Sequence, residues 1–167
     1  PRRESLVAAL NGVLGDHLAA TGNPLAMPLG LRRAGRDLPL EPGALVAAVP
    51  EASGRLLLLV HGLCRSDADW RRHGHDHGAA LERDLGWTAV AVRYNSGRHV
   101  SENGRELSAA LERLVSAWPV PVEELAIVGH SMGGLVARAY LRTHPDAPIA
   151  RVVTLGTPHR GTAHARF

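Results

Sequence analysis

The sequence contains one cysteine, no lysine and few aromatic residues. Cys64 stands alone, so no internal disulfide can form; a small fold held by disulfides is excluded, and a reducing compartment such as the cytoplasm fits. All 19 basic residues are arginine, scattered among 16 acidic residues. The formal net charge of +3, without a dense basic run, argues against nucleic acid as a partner.

Long hydrophobic runs are also missing, since none approaches the ~20 residues needed to cross a bilayer. With 4% aromatic residues, the sequence shows no clear hydrophobic binding face. What is present, 45% hydrophobic and 21% charged residues in a chain of 167, suits one globular domain with a substantial core. The sequence begins at Pro1 rather than Met and shows no signal-peptide pattern, so a preceding segment, the localisation and the oligomeric state stay open.

Apolar runs alternate with helical patterns from residue 55 onward. The runs that predict strands are 55–64, 87–94, 125–128 and 149–155. Between them, 69–84 predicts a helix or a loop followed by a helix, and 101–118 predicts a helix capped by Ser101. Alternating strands and helices indicate βαβ units, so we predict an α/β fold with a mostly parallel sheet flanked by helices.

Residues 1–54 follow a different pattern. Helical spacing predicts a first helix that ends near Ala20 and is weakened by Gly12 and Gly15. Its apolar face would consist of Leu6, Leu10, Val13, Leu14 and Leu18. A hairpin of two edge strands is predicted around 33–37, and a loop or short helix over 41–54. No linker interrupts the chain, so we predict a single domain over 1–167, with 1–54 as helix and edge hairpin and 55–167 as core.

The stretch 126–136 carries the strongest chemical signal. It is typical of a buried strand, a tight turn with one serine and the start of a helix, which is the context of the G-x-S-x-G nucleophile elbow. In such a turn Ser131 would present its hydroxyl at the end of the sheet, and Gly129 and Gly133 would remove side chains that collide with the turn. Ser131 is therefore the candidate nucleophile; the alternative is a glycine-rich turn with an incidental serine.

Three motifs, in this order, resemble one family. They are His-Gly-Leu at 61–63, Gly-His-Ser-Met-Gly-Gly at 129–134 and Thr-Leu-Gly-Thr-Pro-His-Arg-Gly at 154–161. With them, residues 55–167 resemble the lipase and esterase branch of the α/β-hydrolase superfamily, and within it the bacterial GPI inositol-deacylase-like serine hydrolases. The resemblance implies an α/β-hydrolase fold of about eight strands, about six of them visible here, and a serine esterase that acts on small-molecule or lipid esters without a cofactor.

The resemblance also implies an oxyanion hole made of two backbone N–H groups. In that superfamily one belongs to the residue after the nucleophile and the other to the loop after the third strand. Carried over to this sequence, the donors are Met132 and Leu63, with Cys64 as the fallback. Met132 would open a helix whose free N–H groups favour an anion, and Gly62 would let the loop approach the reacting carbonyl.

The general base and its acid are not recognisable in the sequence. The family order is serine, acid, histidine, but the single acidic residue after Ser131 is Asp146, which precedes the next predicted strand. The downstream histidines are His144, His159 and His164, and none follows a final strand.

We therefore expect a truncated domain whose acid and base lie beyond Phe167. The longer protein would hydrolyse esters, and the 167-residue segment alone would barely do so. Residues 151–155 would then form an exposed apolar edge of the sheet, which is prone to aggregation.

Other polar groups have weaker claims to function. His73, His75, Asp76 and His77 could supply metal ligands, but they lack the distant third and fourth ligands of a zinc site, so polar loop contacts are preferred and no metal is predicted. His61 is predicted to shape the oxyanion loop, and Cys64 to be a packed thiol. The stretch 93–98 follows a strand, where either a substrate contact or an ordinary turn is compatible with the sequence.

Three functions remain open from the sequence. The first is a serine hydrolase that forms an acyl-enzyme on Ser131 and resolves it with water. The second is an acyltransferase on the same scaffold, which differs only in the acceptor. The third is a non-catalytic α/β module.

Overall fold

The computed structural model describes residues 2–161, and strands alternate with helices from residue 55 as predicted. The helices are α1 (Arg2–Ala20), α2 (Pro42–Ala48), α3 (His77–Leu85), α4 (Val100–Ala117) and α5 (Met132–Thr143), with a 3-10 turn at Asp67–Trp70. The strands are β1 (Gly30–Arg33), β2 (Arg36–Asp37), β3 (Arg55–Val60), β4 (Arg71–Arg72), β5 (His75–Asp76), β6 (Thr88–Arg93), β7 (Glu124–His130) and β8 (Ile149–Leu155).

One six-stranded sheet organises the fold, in the order β2-β1-β6-β3-β7-β8. Strands β6, β3, β7 and β8 are parallel, while β1 pairs antiparallel with both β2 and β6. The mostly parallel sheet with flanking helices confirms the predicted fold class. Because the four parallel strands end at the same edge, the loops after β3, β6, β7 and β8 meet there.

Both faces of the central strand β3 are buried, which explains its unbroken hydrophobic run. Leu56, Leu58 and Val60 belong to the larger core, which includes residues of α4 and α5. Leu57 and Leu59 belong to a smaller core with Trp87, Ala89 and Ala126, against which Leu81 of α3 packs. Helices therefore cover both faces of the sheet. Among residues 2–161, no helix combines the length and the apolar character that crossing a bilayer requires.

Two local predictions need correction. Helix α4 begins at Val100, and the N–H groups of Glu102 and Asn103 both donate to the carbonyl of His99, so His99 is the cap and the predicted Ser101 cap is wrong. Of the two possibilities for 69–84, the loop followed by a helix agrees with the structure, but the loop contains a short hairpin of β4 and β5 that was not predicted. The hairpin predicted around 33–37 is present as β1 and β2, and the short helix allowed over 41–54 is α2.

The buried face of helix α1 overlaps the predicted one at Leu18, which is 4% exposed, but otherwise differs from it. Leu6 is 71% exposed and Val13 is 75% exposed, and the helix is kinked at Leu14. The buried positions are Ala8, Asn11, Gly15 and Leu18. This small-residue face lies against the loops after β3 and β6, since a Cβ on Gly12 would lie 2.8 Å from Cys64 Cα and one on Gly15 would lie 2.7 Å from Gly97 Cα. The two glycines that weaken the helix in isolation allow this close packing.

Strand β8 forms an exposed edge of the sheet. Within residues 2–161 it pairs with β7 alone, and Val152, Val153 and Leu155 are 38%, 46% and 44% exposed. An apolar strand with a free hydrogen-bonding edge is a template for association with another strand. The exposed edge predicted at 151–155 is therefore present in the structure.

A buried carboxylate ties four parts of the chain together. Asp67 is 2% exposed and opens the 3-10 turn. Arg93 of β6 donates from Nε to Asp67 Oδ1 at 2.9 Å, and Arg71 approaches Oδ2 at 3.9 Å. Arg32 Nε of β1 lies 3.0 Å from Oδ2 at an angle that makes no hydrogen bond, so that contact is Coulombic. Arg93 also pairs with Glu4 of α1, which extends the network to the N-terminal helix.

Candidate active site

Ser131 lies between β7 and α5, where its backbone adopts φ +51° and ψ −122°. A positive φ is uncommon for a residue with a side chain and persists where surrounding contacts fix it. Here the Ser131 N–H donates to the carbonyl of Leu155 at 2.7 Å, and the Ser131 carbonyl accepts the N–H of Gly134 at 3.1 Å. The turn is thus held from β8 and from α5, and the half-buried Ser131 stands at the carboxyl end of the sheet.

Glycines are required around this turn because neighbouring atoms leave no room for a side chain. A Cβ on Gly129 would lie 2.6 Å from Gly134 Cα, and a Cβ on Gly133 would lie 2.5 Å from the His61 carbonyl oxygen. The Thr157 side chain, in the loop after β8, packs on Gly134. Close packing therefore requires the glycines of the motif at 129–134. In the motif at 154–161, the Thr157 side chain packs against the start of α5.

The loop after β3 approaches the same turn. A Cβ on Gly62 would lie 3.0 Å from Ser131 Cβ, so glycine allows this close approach. Within residues 2–161 the Leu63 N–H donates to no acceptor. Met132 is the first residue of α5, so its N–H has no acceptor within the helix. The two predicted oxyanion donors therefore lie on segments next to Ser131. Neither N–H group makes a hydrogen bond within the loop or the helix that carries it.

Cys64 differs from Leu63 because its amide hydrogen is already bonded. The Cys64 N–H donates to Ser96 Oγ at 3.0 Å, and its φ of +59° bends the loop sharply. The fallback prediction of Cys64 as an oxyanion donor is therefore wrong for this structure. The half-buried Cys64 packs against Gly12 of α1, as expected for a packed thiol.

The stretch 93–98 supports the loop after β3. The Tyr94 hydroxyl donates to the His61 carbonyl at 2.6 Å, and Asn95 Nδ2 donates to the Gly15 carbonyl of α1 at 2.9 Å. Tyr94, Asn95 and Ser96 are each at most 3% exposed. Of the two interpretations left open by the sequence, the buried turn agrees with these contacts. The sequence signal for their role is a run of polar side chains directly after a strand buried in the core.

His61 is buried beside this loop and is neutral. Burial lowers the pKa of His61 from 6.5 to about 4. Its Nδ1 lies 2.9 Å from the Gly62 carbonyl oxygen, which can only accept, so Nδ1 carries the hydrogen. The ring stacks on Tyr94 with centroids 4.2 Å apart. These contacts fit the structural role predicted for His61.

We expect acid to destabilise the protein through His61. A histidine in the unfolded chain takes up a proton near pH 6.5, whereas folded His61 stays neutral down to about pH 4, so the unfolded state binds more protons in this window and stability falls as the pH falls. The whole shift corresponds to about 3 kcal/mol. Melting temperatures measured between neutral pH and pH 4 test this. His61→Asn, whose amide can still donate to Gly62, should flatten the decline; an unchanged decline would contradict the prediction.

The acidic residue and the histidines downstream of Ser131 do not gather around it. His144 and Asp146 lie between α5 and β8, at the amino end of β8 and hence at the opposite edge of the sheet. His144 Nε2 instead lies 3.0 Å from Glu112 Oε1. His159 follows β8 and its Nε2 lies 3.3 Å from Thr154 Oγ1.

His164 lies outside the described residues. Over residues 2–161, no histidine or carboxylate forms a hydrogen bond with the Ser131 side chain. The described part of the chain thus holds the candidate nucleophile and the two candidate oxyanion donors without a histidine or carboxylate bonded to the Ser131 side chain.

A cavity of about 320 Å³ opens beside the nucleophile turn. Its lining residues are His61, Arg65, Asp69, Trp70, Arg72, His77, His130 and Leu155. Asp69 forms ion pairs with Arg72 at 2.8 Å and with Arg65 at 3.4 Å. The carboxylate therefore compensates one of the two arginine charges that line the cavity. His130 precedes Ser131 and the Leu155 carbonyl accepts the Ser131 N–H, so this cavity lies next to the candidate nucleophile.

The histidine-rich loop forms a hairpin beside the cavity. His75 and His77 meet edge to face with ring centroids 4.6 Å apart, and Asp76 caps α3 by accepting the Ala79 N–H at 3.0 Å. No group of three or more histidine, cysteine or acidic side chains suited to a metal ion occurs in the described part of the chain.

Comparison with known proteins places these motifs in a family. Residues 51–166 match the family model described as PGAP1-like alpha/beta domain. A triacylglycerol lipase of Burkholderia plantarii is 31% identical over 145 residues, which cover 84% of this chain and 39% of the relative. A triacylglycerol lipase of Pseudarthrobacter phenanthrenivorans is 31% identical over 115 residues, covering 66% and 35%. The chain thus spans less than two fifths of the length of these relatives.

Solved structures agree on the fold. The lipase BlEst2 of Bacillus licheniformis superimposes with a TM-score of 0.56 at 24% identity, in both its propeptide and its mature form. The match covers 83% of this chain, 27% of the propeptide form and 49% of the mature form. At this level of identity the likeness shows the α/β-hydrolase architecture.

Proposed function

This chain belongs to the PGAP1-like alpha/beta domain family, and from that membership and the geometry of Ser131 we propose that it carries the nucleophile and oxyanion hole of a serine hydrolase acting on carboxylic ester bonds. The strained turn at Ser131, pressed against the glycine of the loop after β3, is the observation that supports this most strongly. The relatives described as triacylglycerol lipases support an ester of a lipid or small molecule as substrate.

The reaction would use Ser131 Oγ as the attacking atom. A general base takes the hydroxyl proton while Oγ bonds to the carbonyl carbon, and the carbonyl oxygen gains a negative charge. The N–H groups of Met132 and Leu63 would stabilise that charge, each at a value of roughly 3 kcal/mol. Expulsion of the alcohol, which receives the proton, leaves an acyl-enzyme that water then hydrolyses to the acid. This acyl transfer uses protein groups alone and needs no cofactor.

We propose that the catalytic acid, and the histidine that follows it in the family order, are supplied by residues beyond Phe167, because Asp146 is the single acidic residue after Ser131 in this sequence. The support is also geometric, because His144 and Asp146 lie at the wrong edge of the sheet and His159 bonds to Thr154. The isolated 167-residue chain should then turn over esters barely, whereas the longer protein should do so fully. Full turnover by the isolated chain, measured by active-site titration, would contradict this placement.

Covalent labelling of Ser131 by a fluorophosphonate, together with hydrolysis of a model ester by the longer protein, tests the proposed function. Acid as the main product when water competes with an alcohol or glycerol supports a hydrolase. A transesterified product as the main one would indicate an acyltransferase, and failure of both labelling and turnover would indicate a non-catalytic module.

Removing the Ser96 hydroxyl should slow the reaction without removing any proposed catalytic group. Ser96 accepts the Cys64 N–H, and this bond holds the residue next to Leu63 in its sharp bend. We expect Ser96→Ala to lower kcat about tenfold, or ~1.4 kcal/mol, with little change in KM. Ser108→Ala is the matched control, because Ser108 is also buried but its hydroxyl contacts the Gly104 carbonyl of α4 and His144, and not the loop after β3. Equal kinetics for both variants would refute this role.

A further inference from the structure

Three arginines without a carboxylate partner line a groove between α4 and α5, here called the α4–α5 groove. Arg105 comes from α4, and Arg138 and Arg142 come from α5. The groove has a volume of about 650 Å³, and all three side chains are exposed. Within residues 2–161 none of them forms an ion pair or a side-chain hydrogen bond, unlike Arg98 just before α4.

The fold brings these charges together although they repel one another. Arg138 and Arg142 are four residues apart on one helix, a spacing at which like charges destabilise the helix. The facing helix lies unusually close, because a Cβ on Gly104 would lie 2.6 Å from Ala139 Cβ. The third charge, on Arg105, follows Gly104 directly. A compensating anion from outside the chain would relieve this repulsion.

Neighbouring carboxylates do not supply that compensation. Glu102 and Glu106, the acidic residues adjacent to the groove on α4, both pair with Arg98. The groove therefore keeps its full positive charge in the described structure. Exposed guanidinium groups bind phosphate oxygens in a bidentate fashion, which makes an organic phosphate surface a suitable anion.

The floor of the groove is apolar. Val100, Leu135 and Ala139 are half-buried between the arginines and the helix backbones. An apolar strip bordered by arginines matches the headgroup region of a bilayer, where phosphates lie above the start of the acyl chains. Free inorganic phosphate would use the arginines but not this strip.

We propose that the α4–α5 groove docks the protein on an anionic lipid bilayer. The choice of a bilayer over an acidic protein rests on the proposed function, since an ester substrate of a lipase-like enzyme resides in a lipid phase. Leu135, at one end of the groove, lies about one helical turn from Ser131. Docking through this groove would therefore hold the carboxyl edge of the sheet near the membrane.

Sedimentation with vesicles tests the docking surface. The chain should bind vesicles of phosphatidylcholine mixed with an equal amount of phosphatidylglycerol, and should bind vesicles of phosphatidylcholine alone weakly. A variant with Arg105→Gln, Arg138→Gln and Arg142→Gln should lose about a hundredfold in affinity, from about fivefold per arginine near the bilayer. The corresponding triple Arg→Lys variant keeps the charge but loses the bidentate geometry, so it should bind more tightly than the glutamine triple and less tightly than the unaltered chain.

A matched control removes the same charge elsewhere. Arg36, Arg113 and Arg151 are exposed and also lack a carboxylate partner within residues 2–161, and either glutamine triple lowers the formal net charge from +3 to 0. The control triple should lose at most a few-fold in affinity. Equal losses for the two triples would show that net charge alone attracts the vesicles and would overturn the proposal. Equal binding to both kinds of vesicle would overturn it too.

Two further arms separate the alternatives. Absence of vesicle binding together with groove-dependent binding of poly-glutamate would indicate an acidic protein partner and overturn the lipid assignment. Ser131→Ala should bind vesicles like the unaltered chain, because the groove does not include the nucleophile. The two proposals can therefore fail separately. The vesicle result can still be interpreted if ester hydrolysis fails, and the proposed chemistry does not depend on vesicle binding.

Discussion

Ser131→Ala is expected to abolish both fluorophosphonate labelling and ester hydrolysis by the longer protein. The substitution removes the only atom proposed to bond to the acyl group while leaving the turn intact, since alanine differs from serine by one oxygen and the backbone bonds to Leu155 and Gly134 do not involve the side chain. Loss of a serine nucleophile that acts with a base lowers kcat by roughly 10⁶-fold. Mass spectrometry of the labelled peptide and initial rates measure the effect.

The control for this experiment is Ser116→Ala, which removes an exposed serine hydroxyl from α4 and should label and turn over normally. An unchanged melting temperature for Ser131→Ala would show that the loss is chemical. Labelling that persists in Ser131→Ala would place the nucleophile at another residue and refute the assignment.

Asp67→Asn should destabilise the fold by about 3 kcal/mol. Removing one partner of a buried ion pair leaves uncompensated charge and typically costs roughly 3–5 kcal/mol. We expect the lower end of this energy range, because two of the arginines retain an ion pair after the substitution. Arg32 still pairs with Asp37 at 2.8 Å, and Arg93 still pairs with Glu4. For a domain of this size the melting temperature should fall by about 9 °C.

Asp84→Asn provides the comparison for that variant. Asp84 pairs with Arg83 at 2.7 Å, but its side chain is 57% exposed, and an exposed pair contributes roughly 0–1 kcal/mol. Denaturant unfolding of both variants at neutral pH should therefore separate them clearly. If the two lose the same small amount of stability, the network around Asp67 is not what holds the 3-10 turn in place.

The sequence predicted best those features that depend on residues close together in the chain. The turn at Ser131 needs a strand, a glycine two residues on either side and a helix start, and these features stand next to one another in the chain. The unbroken run of β3 likewise predicted burial on both faces, and its alternate leucines indeed divide between two cores. The parallel sheet followed from the alternation of such runs with helices.

Contacts between distant segments were not predictable in the same way. Leu6 and Val13 have the spacing of a buried helix face, but close approach through Gly12 and Gly15 turned the small-residue face of α1 inward instead. The hydrogen bond from the Cys64 N–H to Ser96 Oγ joins residues 32 apart, and the sequence around neither residue predicts it. Such pairings depend on the relative placement of elements, which periodicity does not specify.

The placement of α1 has a consequence for where the functional unit starts. Family similarity begins at residue 51, yet the N-terminal helix rests on Cys64 and on Gly97, which belong to the two loops that shape the rim around Ser131. Asn95 also donates to Gly15 from within that rim. The first helix therefore supports the loops around Ser131, and a shortened protein that begins at residue 51 would lose that support.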